Sequence, residues 1–150
     1  MTGRKRKYAN VKIILAHMGG SALVVAPRVA VLSNHMGCIL TPEEILDDFK
    51  DFYYECALSA HAASLTALDA FVAPNHILFG TDFPGKRVAP RLPFPDFKRN
   101  YLAVSMDMAD WYTKHVQNHY AYDTPQLERV MCENALQLFP RLRDLMLKRA

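Results

Sequence analysis

The chain has 150 residues, of which 51% are hydrophobic and 22% are charged, and its formal net charge is +3. This length and hydrophobic content predict one domain with a substantial core, and they exclude a disordered or fibrous chain. Part of the positive charge lies in the basic run 4–7, which is too short to indicate nucleic-acid binding and is typical of a solvated end.

The sequence also argues against a membrane-spanning protein and against a disulfide-stabilised one. No apolar run approaches the roughly 18 to 20 residues of a membrane span, and residues 11–16 are too few for the core of a signal peptide. The cysteines Cys38, Cys56 and Cys132 are odd in number and widely spaced, which indicates reduced core thiols. We therefore expect a cytoplasmic protein with neither nucleic-acid nor membrane partners.

The first predicted strand covers residues 11–16 and follows a polar lead-in, residues 1–10, which we expect to be a helix tail or a disordered start. At the strand end His17 is followed by a glycine pair, 19–20, that allows a tight exit. The apolar stretch 22–32 then predicts a loop and a helix that begins near Pro27.

The middle of the chain predicts two further strands with helices between them. Thr41, Pro42 and Glu44 have the pattern of a capping box at the start of a short helix. The aromatic and apolar run 52–58 predicts a second strand, and 64–72 predicts a helix. A third strand over 77–79 reads as buried on both faces, so the order of elements predicts a parallel sheet with crossover helices.

The last part of the chain is predicted to be a long loop and then helices. Prolines punctuate residues 84–95, which indicates either a binding loop or a passive excursion. A helix rich in Met and aromatic residues is predicted over 97–119, and two closing helices start at Thr124. His115 and His119 fall four apart on one face of that first helix, a spacing open to metal binding, although a solvated helix end is the simpler interpretation.

Two polar side chains stand where predicted strands end, His17 after the first and Asp82 after the third. Ligands and catalytic groups collect at the carboxyl ends of parallel strands. A carboxylate there can ligate a divalent ion, and a nearby imidazole can hold or shuttle a proton. The pair alone leaves a structural role open, because such residues often only cap or bond the backbone.

Four ordered segments carry a family resemblance, namely 12–20 (KIILAHMGG), 52–60 (FYYECALSA), 77–84 (ILFGTDFP) and 133–139 (ENALQLF). With them the chain resembles the C-terminal half of the amidohydrolase-related decarboxylases, the aminocarboxymuconate semialdehyde decarboxylase-like family, and most of all its fungal 6-methylsalicylate branch. The resemblance implies an α/β fold that is a partial (β/α)8 TIM barrel, with strands six to eight and the C-terminal helices. Because a whole barrel takes roughly 250 residues, we expect residues 1–150 to be a single domain truncated at its N-terminal side.

The same resemblance implies roles for individual residues. Asp82 corresponds to a metal ligand after the eighth strand, and His17 to a histidine after the sixth strand that assists proton transfer beside metal-bound water. Arg28 corresponds to an arginine that binds the substrate carboxylate in a neighbouring subunit, which implies a homo-oligomer. Zinc is the expected ion and manganese the alternative, and the other metal ligands are expected outside this chain.

The function implied by the resemblance is the metal-dependent, non-oxidative decarboxylation of a small aromatic or related unsaturated carboxylic acid, with release of CO2. We expect the isolated chain to be inactive, because it lacks the other ligands. A metal-dependent hydrolase is one alternative, in which the ion activates water and Asp82 takes its proton. A non-catalytic remnant that binds a partner through its exposed edge strands is the other.

Overall fold

The fold is centred on a small parallel sheet in the computed structural model, which describes residues 3–82, 109–122 and 124–148. Its strands are β1 (Ile14–Leu15), β2 (Tyr53–Glu55) and β3 (Ile77–Leu78), in the spatial order β1-β2-β3. Leu15 pairs with Tyr54, and Tyr54 pairs with Ile77. The predicted alternation of parallel strands and crossover helices is therefore confirmed.

Helices surround this sheet and connect its strands. In chain order they are α1 (Arg4–Lys7), α2 (Ala22–His35), α3 (Pro42–Lys50), α4 (Ala62–Phe71), α5 (109–119), α6 (Pro125–Glu128), the π-helical turn Arg129–Glu133, α7 (Asn134–Leu138) and α8 (Pro140–Leu147). The predicted loop 84–95 and the first part of the predicted helix 97–119 lie outside the described residues. No helix in the part of the chain that the structure describes is long and apolar enough to cross a membrane.

The strands are shorter than the sequence predicted. At the end of β3 the amide of Phe79 donates to the carbonyl of Val130 at 3.1 Å, so the backbone leaves the sheet for the π-helical turn. The predicted start of α2 near Pro27 is wrong. The carbonyl of Ser21 accepts from the amides of Val24 and Val25, both at 3.0 Å, so the first turn is closed before the proline is reached.

The basic N-terminal run is exposed at Arg4, Arg6 and Lys7, as expected for a solvated end, but two of its side chains also pair with α3. Arg6 donates from Nε to Oδ1 of Asp48 at 2.9 Å and from Nη1 to Oε1 of Glu44 at 2.7 Å, and Lys5 pairs with Asp51. Asp48 raises the pKa of the Arg6 guanidinium by accepting this hydrogen bond. The acidic face of α3 therefore holds α1 against the domain.

The start of α3 confirms the predicted capping box. The Glu44 amide donates to Oγ1 of Thr41 at 3.2 Å, and the Thr41 amide donates to Oε2 of Glu44 at 2.9 Å. This second bond lowers the pKa of the Glu44 carboxyl. Each partner thus satisfies an amide that a helix start otherwise leaves unpaired.

The core lies between the sheet, α4, α5 and the closing helices. Its buried members include Tyr54, Cys56, Leu65, Leu68, Ile77, Val116 and Val130. Cys56 is buried as predicted for a core thiol, and burial raises its pKa to about 11. Cys132 is exposed, so the prediction that every cysteine lies in the core is wrong.

Candidate functional site

The carboxyl edge of the sheet concentrates unusual backbone conformations. Of the five non-glycine residues with positive φ in the described part of the chain, four follow a strand on this edge: His17, Met18, Leu58 and Asp82, with φ between 53° and 57°. Such conformations cost about 1–2 kcal/mol per residue and persist where the surrounding structure enforces them, often at functional sites. The strand exits are therefore the candidate functional site.

The exit of β1 is a tight left-handed turn. The Gly19 amide donates to the Ala16 carbonyl and the Gly20 amide to the His17 carbonyl, each at 2.9 Å. Met18 is buried beneath the turn. A Cβ on Gly19 would lie 3.0 Å from the Ala22 Cβ, so glycine is required there for space as well as for its φ of 71°.

The turn exposes the imidazole of His17 and fixes its orientation. Nδ1 lies 2.9 Å from the carbonyl oxygen of Ala57, in the loop after β2. A carbonyl can only accept, so Nδ1 carries a proton and donates it, and in the neutral ring Nε2 keeps its lone pair. His17 therefore presents a hydrogen-bond acceptor and proton acceptor to the solvent side of this edge.

Asp82 lies on the same edge, four residues after the end of β3. Its side chain is exposed and makes no hydrogen bond or ion pair with any other described residue. Because β2 separates β1 from β3, the strand axes that lead to His17 and Asp82 are about 10 Å apart. The structure places the two predicted residues at one edge, without a bond between them.

A metal site is not completed by the residues described. Zinc sites in proteins use three or four protein ligands, and no group of three or more His, Cys, Asp and Glu side chains within residues 3–82, 109–122 and 124–148 could hold an ion. Asp82 can supply one carboxylate. The remaining ligands would have to come from elsewhere.

Arg28 lies on α2 and is exposed. It is six residues beyond Ala22, the start of the helix, and at about 1.5 Å per residue the helix carries it about 9 Å along its axis. No hydrogen bond or ion pair joins Arg28 to His17 or Asp82 among the described residues. A role in substrate binding would be exerted on a neighbouring subunit.

Sequence reasoning missed Glu55, the last residue of β2. Its carboxylate accepts from the Ala57 amide at 2.5 Å and lies 3.4 Å from the His17 amide. The signal was available, because an acidic residue interrupts an aromatic and apolar strand just before its exit. Glu55 thus joins the exits of β1 and β2.

Two further clusters involve α5 and were also not foreseen. The His115 ring lies 3.9 Å from that of Trp111 and 5.1 Å from that of His61, measured between ring centroids. His119 Nε2 lies 2.7 Å from Oδ2 of Asp69, and this contact connects α5 to α4. His115 and His119 therefore contact other side chains and do not form a solvated helix end. They are also not part of a metal site among the described residues.

Comparison with known proteins gives one family match. The amidohydrolase family profile matches residues 1–141. The chain is 34% identical over 149 residues to the 6-methylsalicylic acid decarboxylase acuB of Aspergillus aculeatus, a match over 95% of this chain and 39% of that protein. It is 30% identical to the 6-methylsalicylic acid decarboxylase of Penicillium expansum, over 97% of this chain and 40% of that protein. The chain thus spans about two fifths of the length of these relatives.

Solved structures share the fold. An amidohydrolase II structure superimposes with a TM-score of 0.65 at 19% identity, covering 90% of this chain and 37% of that one. A dihydroxybenzoic acid decarboxylase from Polaromonas, solved with bound manganese and the inhibitor 2-nitroresorcinol, gives a TM-score of 0.62 at 23% identity. That match covers 93% of this chain and 36% of the decarboxylase.

Proposed function

This chain belongs to the amidohydrolase family, and from that membership we propose that it forms strands six to eight and the closing helices of a metal-dependent aromatic-acid decarboxylase barrel. Its relatives in Aspergillus aculeatus and Penicillium expansum, both 6-methylsalicylic acid decarboxylases, support this reaction class. The proposed substrate is a small aromatic acid of the 6-methylsalicylate type. The proposed product besides the arene is CO2.

In the proposed reaction the bond between the ring carbon and the carboxylate breaks, its electron pair stays on the ring carbon, and that carbon takes a proton. His17 is the proposed acid/base or hydrogen-bonding group, since its Nε2 faces solvent while Nδ1 is held by Ala57. Asp82 is the proposed metal ligand, with zinc or manganese as the ion. The described residues do not complete an ion site, so the isolated chain is proposed to be inactive.

The observation that carries this proposal is the oriented imidazole at the carboxyl edge. His17 and Met18 form a left-handed turn, although neither is glycine. Such unfavourable conformations cluster at functional sites, and this supports a functional role for the exposed histidine. Its orientation through the Ala57 carbonyl sets one tautomer, which is a requirement for directed proton transfer.

The test is a chimera in which this chain replaces the matched segment of the Penicillium expansum relative, so that the rest of a barrel is supplied. We expect decarboxylation of 6-methylsalicylic acid and stoichiometric zinc or manganese. H17Q should lower kcat by about 100- to 10,000-fold, the usual contribution of general acid/base catalysis. D82N should lower both the bound metal and the activity.

The matched control is D47N, an exposed aspartate on α3, which should leave metal content and kcat unchanged. Full activity in H17Q, or full metal content in D82N, would contradict the assigned roles. A folded, metal-loaded chimera without activity would contradict the proposal that this segment supports decarboxylation.

A partner-binding role is the second candidate, and the outer edge of β1 favours it. This edge has no strand partner among the described residues, and Ile14 on it is 41% exposed. Unpaired parallel edges normally pair or are covered. If the chain acts as a docking piece, it should bind the separately produced remainder of the relative, and I14K should abolish this binding while the inactive D82N retains it.

A further inference from the structure

Glu55 touches the exits of all three strands of the described sheet. It ends β2, and its side chain is half-buried. Oε1 accepts from the Ala57 amide at 2.5 Å, and Oε2 is the acceptor nearest the His17 amide, at 3.4 Å. A carboxylate has two oxygens that can each accept more than one hydrogen bond, so one side chain can serve both backbone segments.

The third contact is with the exit of β3 at Gly80. A Cβ built on Gly80 would lie 1.9 Å from Oε1 and 2.6 Å from Cδ of Glu55, so a larger residue at this position would force the Glu55 carboxylate to move. The φ of Gly80 is not in the left-handed region, so the backbone itself does not require glycine there. Glycine at this position therefore leaves the space that the Glu55 carboxylate occupies.

Through Ala57, the hydrogen bonds of Glu55 extend to the imidazole of His17. Glu55 holds the amide of Ala57, and the carbonyl of the same residue holds Nδ1 of His17. Ala57 is itself buried and is followed by Leu58 in a left-handed conformation. The position of the Ala57 carbonyl therefore depends on the Glu55 carboxylate.

We propose that Glu55 is the positioning residue of this edge: it holds Ala57 and the turn after β1 so that the neutral His17 keeps its proton on Nδ1 and its lone pair on Nε2. The importance of this tautomer for catalysis rests on the proposed function, whereas the positioning itself does not. The two Glu55 oxygens face different amides, so in the same geometry E55Q turns an NH2 donor toward the amide of either Ala57 or His17.

The experiment is long-range 1H–15N NMR of the histidine side chains in the chain without metal or substrate, at a pH where the imidazoles are neutral. We expect wild-type His17 to give the pattern of the Nδ1-protonated ring. In E55Q its pattern should shift to the tautomer mixture of an exposed histidine, for which His35 in the same spectrum is the reference. E43Q, an exposed glutamate on α3, is the matched control and should leave His17 unchanged.

His76 serves as an internal check of folding, because its Nδ1 lies 3.0 Å from the Phe52 carbonyl and should stay protonated in every folded variant. G80A is a second perturbation, which displaces Glu55 sterically and keeps its charge, and it should shift His17 in the same way. An unchanged His17 pattern in either folded variant would overturn the inference. A shifted His17 pattern in E55Q together with full activity of the chimera that carries E55Q would instead leave the positioning intact and count against the proposed function alone.

Discussion

Asn134 joins the closing helices to the sheet and should be a large contributor to stability. Its side chain is 2% exposed. Nδ2 donates to the carbonyls of Pro74 and Ile77, both at 2.8 Å, while Oδ1 is buried and has no hydrogen-bond partner among the residues that the structure describes. One amide group therefore secures the segment that leads into β3 and, beyond it, toward Asp82.

N134A should lower the free energy of unfolding by about 2 kcal/mol. Two lost hydrogen bonds cost about 1 kcal/mol each, and the buried carbonyls left unpaired add to this. N134A also removes Oδ1, a polar atom whose burial without a hydrogen bond is unfavourable, and this offsets part of the cost of the unpaired carbonyls. For a chain of 150 residues the change corresponds to a fall in Tm of about 4–8 °C.

The assay is urea unfolding followed by far-UV circular dichroism, with N118A as the control. Asn118 is exposed on α5, so N118A should change stability by less than about 0.5 kcal/mol. N134D should destabilise more than N134A, because a carboxylate would face two carbonyl oxygens with no proton to donate. If N134A costs no more than N118A, the two hydrogen bonds do not stabilise the fold as argued.

Two further predictions concern the core thiol and the N-terminal helix. Burial raises the pKa of Cys56 from 9.0 to about 11, so the folded state favours the neutral thiol. The resulting contribution to stability, about 3 kcal/mol, is present below pH 9 and is lost as the pH rises toward 11. The fall in stability over this range should be smaller in C56A than in the exposed-site control C132A, and equal slopes would refute the assignment. R6M should lower the urea midpoint because it leaves Asp48, only 8% exposed in its side chain, without its cation. The control R4M should leave the midpoint unchanged, and adding D48N to R6M should recover part of the loss. An equal midpoint in R6M and R4M would show that the ion pair does not stabilise the fold.

Local patterns predicted much of the fold. The order of strands and crossover helices followed from apolar runs and their breaks, and the capping box at Thr41 was found as predicted. Element ends were less well predicted: α2 starts at Ala22 because Ser21 closes its first turn, and β3 ends at Leu78 because Phe79 bonds to Val130. Both ends depend on which backbone partner is nearest, which no local pattern encodes.

The sequence by itself determined which chemical groups leave the sheet, since a histidine and an aspartate after buried strands can only emerge at the carboxyl edge of parallel strands. Only the tertiary structure decided how they are held. Glu55 reaches His17 from 38 residues away, and Asn134 reaches Pro74 from 60 residues away. Such contacts depend on strand register and helix packing, because a hydrogen bond forms only when donor and acceptor come within about 3 Å. The roles of Glu55, Gly80 and Asn134 therefore follow from the packed chain and not from its order of residues.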